Sequence, residues 1–169
     1  MSKRLMKGKY LAISVLAISA ATLLGAAFMH SWWSTSTGGF GLTSGTDCAI
    51  VSAGSQTCET SIFATASKFP DAFVWAGRVA FVSMLAAGAA ALTAAGLSSL
   101  GPPRTSIGLA PALVLSVMSV AVFLFVAPFH KLTFGLAFYL YWIGIVAGVG
   151  GRVLVKRAID EYARSKRTT

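Results

Sequence analysis

Residues 105–130 have the sequence TSIGLAPALVLSVMSVAVFLFVAPFH, which contains no lysine, arginine, aspartate or glutamate. A stretch of this kind is long enough to cross the hydrocarbon core of a bilayer, which takes about 20 apolar residues in a helix. A helix is the expected conformation, because lipid offers no hydrogen-bond partner to an unpaired backbone group. Three further stretches without these charged residues lie at 10–29, 79–103 and 132–151.

The four stretches together predict a membrane protein. Hydrophobic residues make up 56% of the chain and charged residues 11%, and the mean hydropathy is +0.74, a more apolar balance than soluble domains have. We predict a single domain over residues 1–169, an all-α membrane protein built as a bundle of four transmembrane helices. The expected helices are about 10–30, 72–98, 106–128 and 132–155, with a long loop at 31–71 and a basic tail at 156–169.

Lysine and arginine are unevenly divided between the two ends of these helices. Eleven of the fourteen lie in the N-terminal tail, in the connection between the second and third helices, or from Arg152 onward. The other three are Lys68, Arg78 and Lys131. Because lysine and arginine accumulate in cytoplasmic segments, this division predicts cytoplasmic N and C termini, in a plasma membrane or a bacterial inner membrane.

The first apolar stretch has an alternative interpretation as a secretory signal, since Lys3, Arg4, Lys7 and Lys9 precede it. Its uncharged run is longer than the usual apolar core of a signal, about 7 to 15 residues, and no small-x-small cleavage site precedes Ser31. We expect an uncleaved helix.

The net charge of +9 raises the question of nucleic acid. The basic residues flank the ends of the predicted helices, however, and are not interleaved with aromatic residues on one surface. Basic residues in such positions set the topology and contact anionic lipid head groups. We therefore expect membrane lipids as partners and no nucleic acid.

The long loop contains both cysteines of the chain, Cys48 and Cys58. Residues 46–51 and 56–61 have the composition of two short strands, with a small polar turn between them. The predicted topology places both cysteines outside the cytoplasm, where disulfides persist. We predict a disulfide between them that stabilises the hairpin; two free thiols are the alternative.

Small residues occur at positions where helices could approach closely. The second helix is rich in alanine around Gly88, and Gly144 and Gly148 are four residues apart in the fourth. Small residues at such spacing are typical of helix packing in membranes, within one bundle or between protomers. We favour packing within the bundle.

Several motifs follow one another in a distinctive order: Trp32-Trp33, Gly41-Leu42, Cys48, Cys58 and then Arg78 at the start of the second helix. The order resembles the first loop of the claudin superfamily, which includes the claudins and the peripheral myelin protein group. The fourth helix adds the sequence FGLAFYLYW at 134–142 and a later glycine pair. Thr43 stands in place of the motif's second tryptophan, so the resemblance is to a divergent member.

The resemblance implies a left-handed four-helix bundle with a small antiparallel extracytoplasmic sheet formed by the first loop, to which the second loop adds a strand. It implies that Trp32 or Trp33 anchors the loop at the membrane interface. It further implies that Cys48 and Cys58 fix the hairpin and that Arg78 lies against the underside of the loop.

The chain offers few residues for catalysis. A disulfide oxidase needs a reactive Cys-x-x-Cys pair and a second, shuttling pair, whereas nine residues separate the two cysteines here. The two histidines, His30 and His130, cannot complete a metal or haem site alone. No carboxylate lies inside an apolar stretch, which disfavours a conventional transporter. We expect no catalytic residue, no metal and no cofactor.

These observations predict a non-enzymatic structural or interaction protein. We expect it to associate with copies of itself or to serve as an accessory subunit of other integral membrane proteins, through its first loop and helix flanks. The alternatives are a small pore or paracellular-type ion-selectivity element and, less favoured, a membrane thiol-disulfide oxidoreductase. The segment 152–167 is expected to continue the fourth helix and to bind a membrane surface or a cytoplasmic partner.

Overall fold

A computed structural model describes residues 3–34, 38–52, 55–62, 70–100, 108–127 and 133–167. It contains four long helices: α1 (Lys3–Phe28), α2 (Asp71–Leu100), α3 (Leu109–Val126) and α4 (Leu136–Arg167). All four are long and apolar enough to span a membrane. The prediction of four apolar helices is confirmed.

The helix limits differ from the expected ones at the starts of α1 and α4, whereas the expected continuation of the fourth helix through 152–167 is confirmed. Helix α1 already begins at Lys3, and α4 begins at Leu136 and continues to Arg167. The 32 residues of α4 correspond to about 48 Å, well beyond the roughly 30 Å of a hydrocarbon core. Residues 152–167 contain no glycine or proline that would break the helix.

The helices pack in a fixed order around the core. Helix α1 packs against α4 and α2, and α2 packs against α3. The core side of α2 carries small residues at intervals of three and four, such as Ala80, Ala87 and Ala91, which let the neighbouring helices approach. Large apolar side chains such as Val82 and Phe125 are exposed on the opposite faces. Each helix is therefore apolar on its inner and its outer surface, as expected of a helix in lipid.

A small antiparallel sheet covers one end of the bundle, which we call the sheet end. The strands are β1 (Trp33–Ser34), β2 (Gly38–Phe40), β3 (Ser44–Ser52), β4 (Ser55–Ile62) and β5 (Thr133–Phe134), in the order β4-β3-β2-β1-β5. Four strands belong to the loop between α1 and α2, and β5 belongs to the connection between α3 and α4. The predicted small antiparallel sheet is confirmed, and the connection between α3 and α4 contributes a strand to it.

Two glycines allow the sheet to approach the helices closely. A Cβ atom at Gly77 in α2 would collide with the backbone carbonyl oxygen of Leu42, and one at Gly135 would collide with that of Ser31. The Gly135 N–H also donates a hydrogen bond to the Trp32 carbonyl oxygen at 2.9 Å. At both positions the glycine backbone packs directly against another backbone segment, so neither contact leaves room for a side chain.

We predict that Gly77→Ala lowers the free energy of unfolding by about 1–3 kcal/mol, the usual cost of overpacking. The matched control is Gly96→Ala in the same helix, where an added Cβ atom has no neighbour within 4 Å. That variant should melt at the wild-type temperature or slightly above, because alanine favours helix. Thermal unfolding in detergent, followed by circular dichroism, measures both. Equal melting temperatures for the two variants would contradict the close contact at Gly77.

Candidate functional site

Trp32 and Trp33 insert into the sheet end of the bundle in different directions. Both are buried, with 1% and 5% of their surface exposed. Trp32 donates from Nε1 to the Ala26 carbonyl oxygen at 2.8 Å, and its ring packs against Tyr141 of α4, with 5.5 Å between the ring centroids. The Trp32 ring therefore joins the end of α1 to α4.

Trp33 contacts the other two helices. Its ring lies 6.2 Å from that of Phe73 in α2 and 4.9 Å from that of Phe123 in α3, centroid to centroid. Adjacent residues of an extended chain point to opposite sides, which is why the pair reaches all four helices. The resemblance implied one interfacial anchor; the structure places both rings inside the bundle end.

Gly41 and Leu42 form a tight turn beneath the sheet. The Gly41 N–H donates to the Ser44 carbonyl oxygen at 2.7 Å, and the Leu42 side chain is 1% exposed. A Cβ atom at Gly41 would lie 3.0 Å from the Met29 carbonyl oxygen, so this position has little room for a side chain. The turn brings the Leu42 carbonyl oxygen to its contact with Gly77.

A cavity of about 240 Å³ lies beside this turn, between the end of α1 and the sheet. His30 is one of its lining residues, and its Nδ1 is 2.7 Å from the Ser44 hydroxyl. Among the residues that the structure describes, no group of three or more histidines, cysteines or acidic residues could hold a metal ion. His130 lies outside the described residues.

Cys48 and Cys58 are directly opposite each other in the register of β3 and β4. Cα atoms of such antiparallel partners are about 4.5–5.5 Å apart, within the span of about 4.4–6.8 Å that a disulfide bridges. The Cys48 side chain lies outside the part of the structure that is described. The register therefore suits the bond, and the bond itself stays a prediction.

Arg78 lies on the exposed face of α2. Its guanidinium carbon is 5.1 Å from the centroid of the Trp75 ring, a cation–π geometry. The resemblance implied a position against the underside of the loop. In this structure the preceding residue, Gly77, is the one that meets the loop, at Leu42.

The three glycines expected to pack helices lie at contacts within the chain. A Cβ atom at Gly88 would lie 2.8 Å from the Leu24 side chain, and one at Gly144 would lie 2.8 Å from that of Leu23. At Gly148 it would lie 2.9 Å from the Ser19 hydroxyl. These positions face α1, and Ser19 in turn donates to the Gly144 carbonyl oxygen at 2.7 Å.

Sequence reasoning missed several residues that position the sheet. Gly77 was missed, and Gly135 was noted only as part of the motif at 134–142, without its contact with Ser31. Both contacts join distant parts of the chain; the only sequence signal for Gly77 is its position next to Arg78. Sequence reasoning also missed a buried hydrogen bond between the Ser83 and Ser119 hydroxyls, 2.5 Å apart, which joins α2 to α3. Among the described residues, the buried polar side chains of the helices are serines: Ser19, Ser83, Ser98, Ser116 and Ser119.

No protein-family model and no curated protein matches the chain. The fold and the candidate site define a four-helix apolar bundle whose one end carries a five-stranded sheet, held in place by two buried tryptophans.

The opposed cysteines generate a prediction about the oxidised protein. Denatured without reductant, the chain should take up no maleimide-polyethylene glycol; after reduction it should take up two, one for each cysteine. In the control variant Cys58→Ser, Cys48 should react without any reductant. The measurement is the mobility of the labelled chain on a denaturing gel. Two labels on unreduced wild-type protein would show that the thiols are free.

Proposed function

We propose that this chain is a multi-pass integral membrane protein that works by contact and carries out no catalysis. It spans the membrane four times with both termini in the cytoplasm, and the sheet lies on the extracytoplasmic side, stabilised by the bond between Cys48 and Cys58. Its partners are other membrane proteins, as an accessory subunit, or copies of itself.

The surface of the helices supports membrane insertion. Large apolar side chains are exposed on all four helices, among them Ile18, Val82, Phe125 and Val146. Continuous apolar surface of this extent is rare on soluble monomers and matches a lipid environment. The distribution of lysine and arginine supports cytoplasmic termini.

The observation that carries the contact function is the edge strand β4. Of the described strands β4 pairs with β3 alone, and it leaves eight residues along the edge of the sheet, with Thr60 and Ile62 exposed. An edge strand of this length is a surface to which another strand can add. Because the tryptophans hold the sheet on the bundle, a partner bound at β4 would be held in a fixed position relative to the helices.

The ordered Trp, Gly-Leu, Cys, Cys and Arg series supports the further proposal that the chain is a divergent member of the claudin superfamily. A sheet on a four-helix bundle is compatible with it. A small pore has less support, because Tyr141, Phe123 and Leu23 fill the interior of the bundle. A conducting path would have to form between copies.

The proposed topology can be tested by glycosylation. The chain contains no asparagine, so Ser55→Asn at the start of β4 creates its only Asn-x-Thr acceptor, with Thr57. In a eukaryotic membrane this variant should gain one glycan, seen as an upward gel shift that a glycosidase reverses. Tags at both termini should resist external protease until the membrane is opened. An unmodified Ser55→Asn chain with protease-sensitive termini would mean the opposite orientation.

If the chain works by contact through β4, it should co-purify with a binding partner, and changes in β4 should reduce that binding. After gentle solubilisation, the tagged chain should co-purify with a second copy or another membrane protein. Ile62→Lys should reduce that recovery at least several-fold, because a lysine on an edge strand opposes strand addition. The control is Thr133→Lys on β5, at the other edge of the sheet, which should retain the companions.

Two results would contradict this function. One is a wild-type protein that purifies as a monomer without companions, and the other is an unchanged complex in Ile62→Lys.

A further inference from the structure

A groove runs along the bundle surface between α2 and α3, beginning near the sheet end. Its volume is about 310 Å³, at the lower end of the range for ligand pockets. The lining residues include Trp75, Arg78, Val79, Val82, Ala86 and Leu115. The groove is separate from the sheet and from the β4 edge.

The walls of the groove are apolar. Trp75, Val79, Val82 and Leu115 each have more than half of their surface exposed. Ser83 also lies at the groove, but its hydroxyl is hydrogen-bonded to the Ala80 carbonyl oxygen at 2.8 Å and to the Ser119 hydroxyl. With that hydroxyl satisfied, the groove favours a hydrocarbon occupant along its length.

Arg78 places a positive charge at one end of this apolar groove. Its side chain is exposed and lies over the Trp75 ring, and in the described part of the chain it has no acidic partner. An arginine guanidinium forms strong, often paired hydrogen bonds with phosphate oxygens. An occupant with a phosphate at one end and hydrocarbon behind it would complement both features.

The length of the groove fits one leaflet of a bilayer. From Trp75 to Ala86 the helix rises about 16 Å, close to half of a hydrocarbon core about 30 Å thick. If α2 spans the membrane as proposed above, Arg78 reaches the head-group level at the sheet end, and the far end of the groove lies near the midplane. One acyl chain is long enough to extend over this distance.

The groove walls also differ from a surface built for another helix. Helices in membranes associate through small residues; Ala80 and Ala87 of α2 are buried inside its own bundle, whereas the exposed residues that line the groove are large except for Ala86. The groove instead presents an indole ring and branched side chains. A flexible chain fits between such side chains more readily than a second helix does.

We propose that the groove between α2 and α3 binds a phospholipid of the sheet-end leaflet, with its phosphate on Arg78 and one acyl chain along Val79, Val82 and Leu115. This proposal rests on membrane insertion but on no protein partner. It adds a specific lipid site to the contact function.

The test is native mass spectrometry of the full-length protein in mild detergent, titrated with phosphatidylglycerol. Wild-type protein should retain one lipid more tightly than the rest. Arg78→Gln should weaken that retention about tenfold or more, as expected for the loss of a charge-assisted hydrogen bond. Arg152→Gln, which removes an exposed arginine from α4, is the matched control and should retain the lipid.

A second pair of variants tests the acyl chain separately from the charge. Val82→Trp fills the groove without altering Arg78 and should also lose the tight lipid, whereas Val146→Trp, at an exposed position on α4, should keep it. Circular dichroism confirms that each variant is folded.

Equal lipid retention in Arg78→Gln, Val82→Trp and wild-type protein would overturn the proposal. So would a second polypeptide on wild-type protein that both variants release, since the groove would then be a helix-docking surface. The two proposals can be tested separately. If the lipid test fails, the protein should still bind its partner through β4, and if Ile62→Lys loses that partner, the lipid should still bind.

Discussion

The burial of Trp32, immediately before β1, and of Trp33, in β1, is the interaction on which the sheet end depends. Each ring contacts a different pair of helices, so this segment cannot move without disturbing the whole bundle. Truncating a buried ring of this size typically costs about 3–5 kcal/mol, a large part of the 5–15 kcal/mol that stabilises a domain. The remaining strands take their places from β1 by backbone pairing, so their position relative to the helices follows from the two indole rings.

Charge and apolar length were enough to predict the helices, because a stretch such as 105–130 has no alternative structure in lipid. Their ends were harder to predict. The continuation of α4 through 152–167 was predicted, whereas the starts of α1 at Lys3 and of α4 at Leu136 were not. The hairpin was visible from its turn residues, since strand pairing over a short turn is a local property.

The contacts between sheet and helices could not be predicted in the same way. Gly77 touches Leu42, and Gly135 touches Ser31, across sequence separations that no local pattern records. Arg78 was singled out as the last residue of the motif series, but whether it faces the loop or the outside of the bundle depends on the rotation of α2 about its axis. Adjacent residues of a helix point about 100° apart. With Gly77 turned toward the loop, Arg78 therefore points away from it.

The pairing of β1 with β5 also has a consequence for biosynthesis. Strand β1 is made early, whereas its neighbour on one side, β5, follows about a hundred residues later, after α3. A chain still emerging from the ribosome therefore carries a partly formed sheet with an unoccupied edge at β1. The sheet is completed only when α3 has been made and the connection after it has reached the sheet end, so an unpaired edge at β1 marks an unfinished chain.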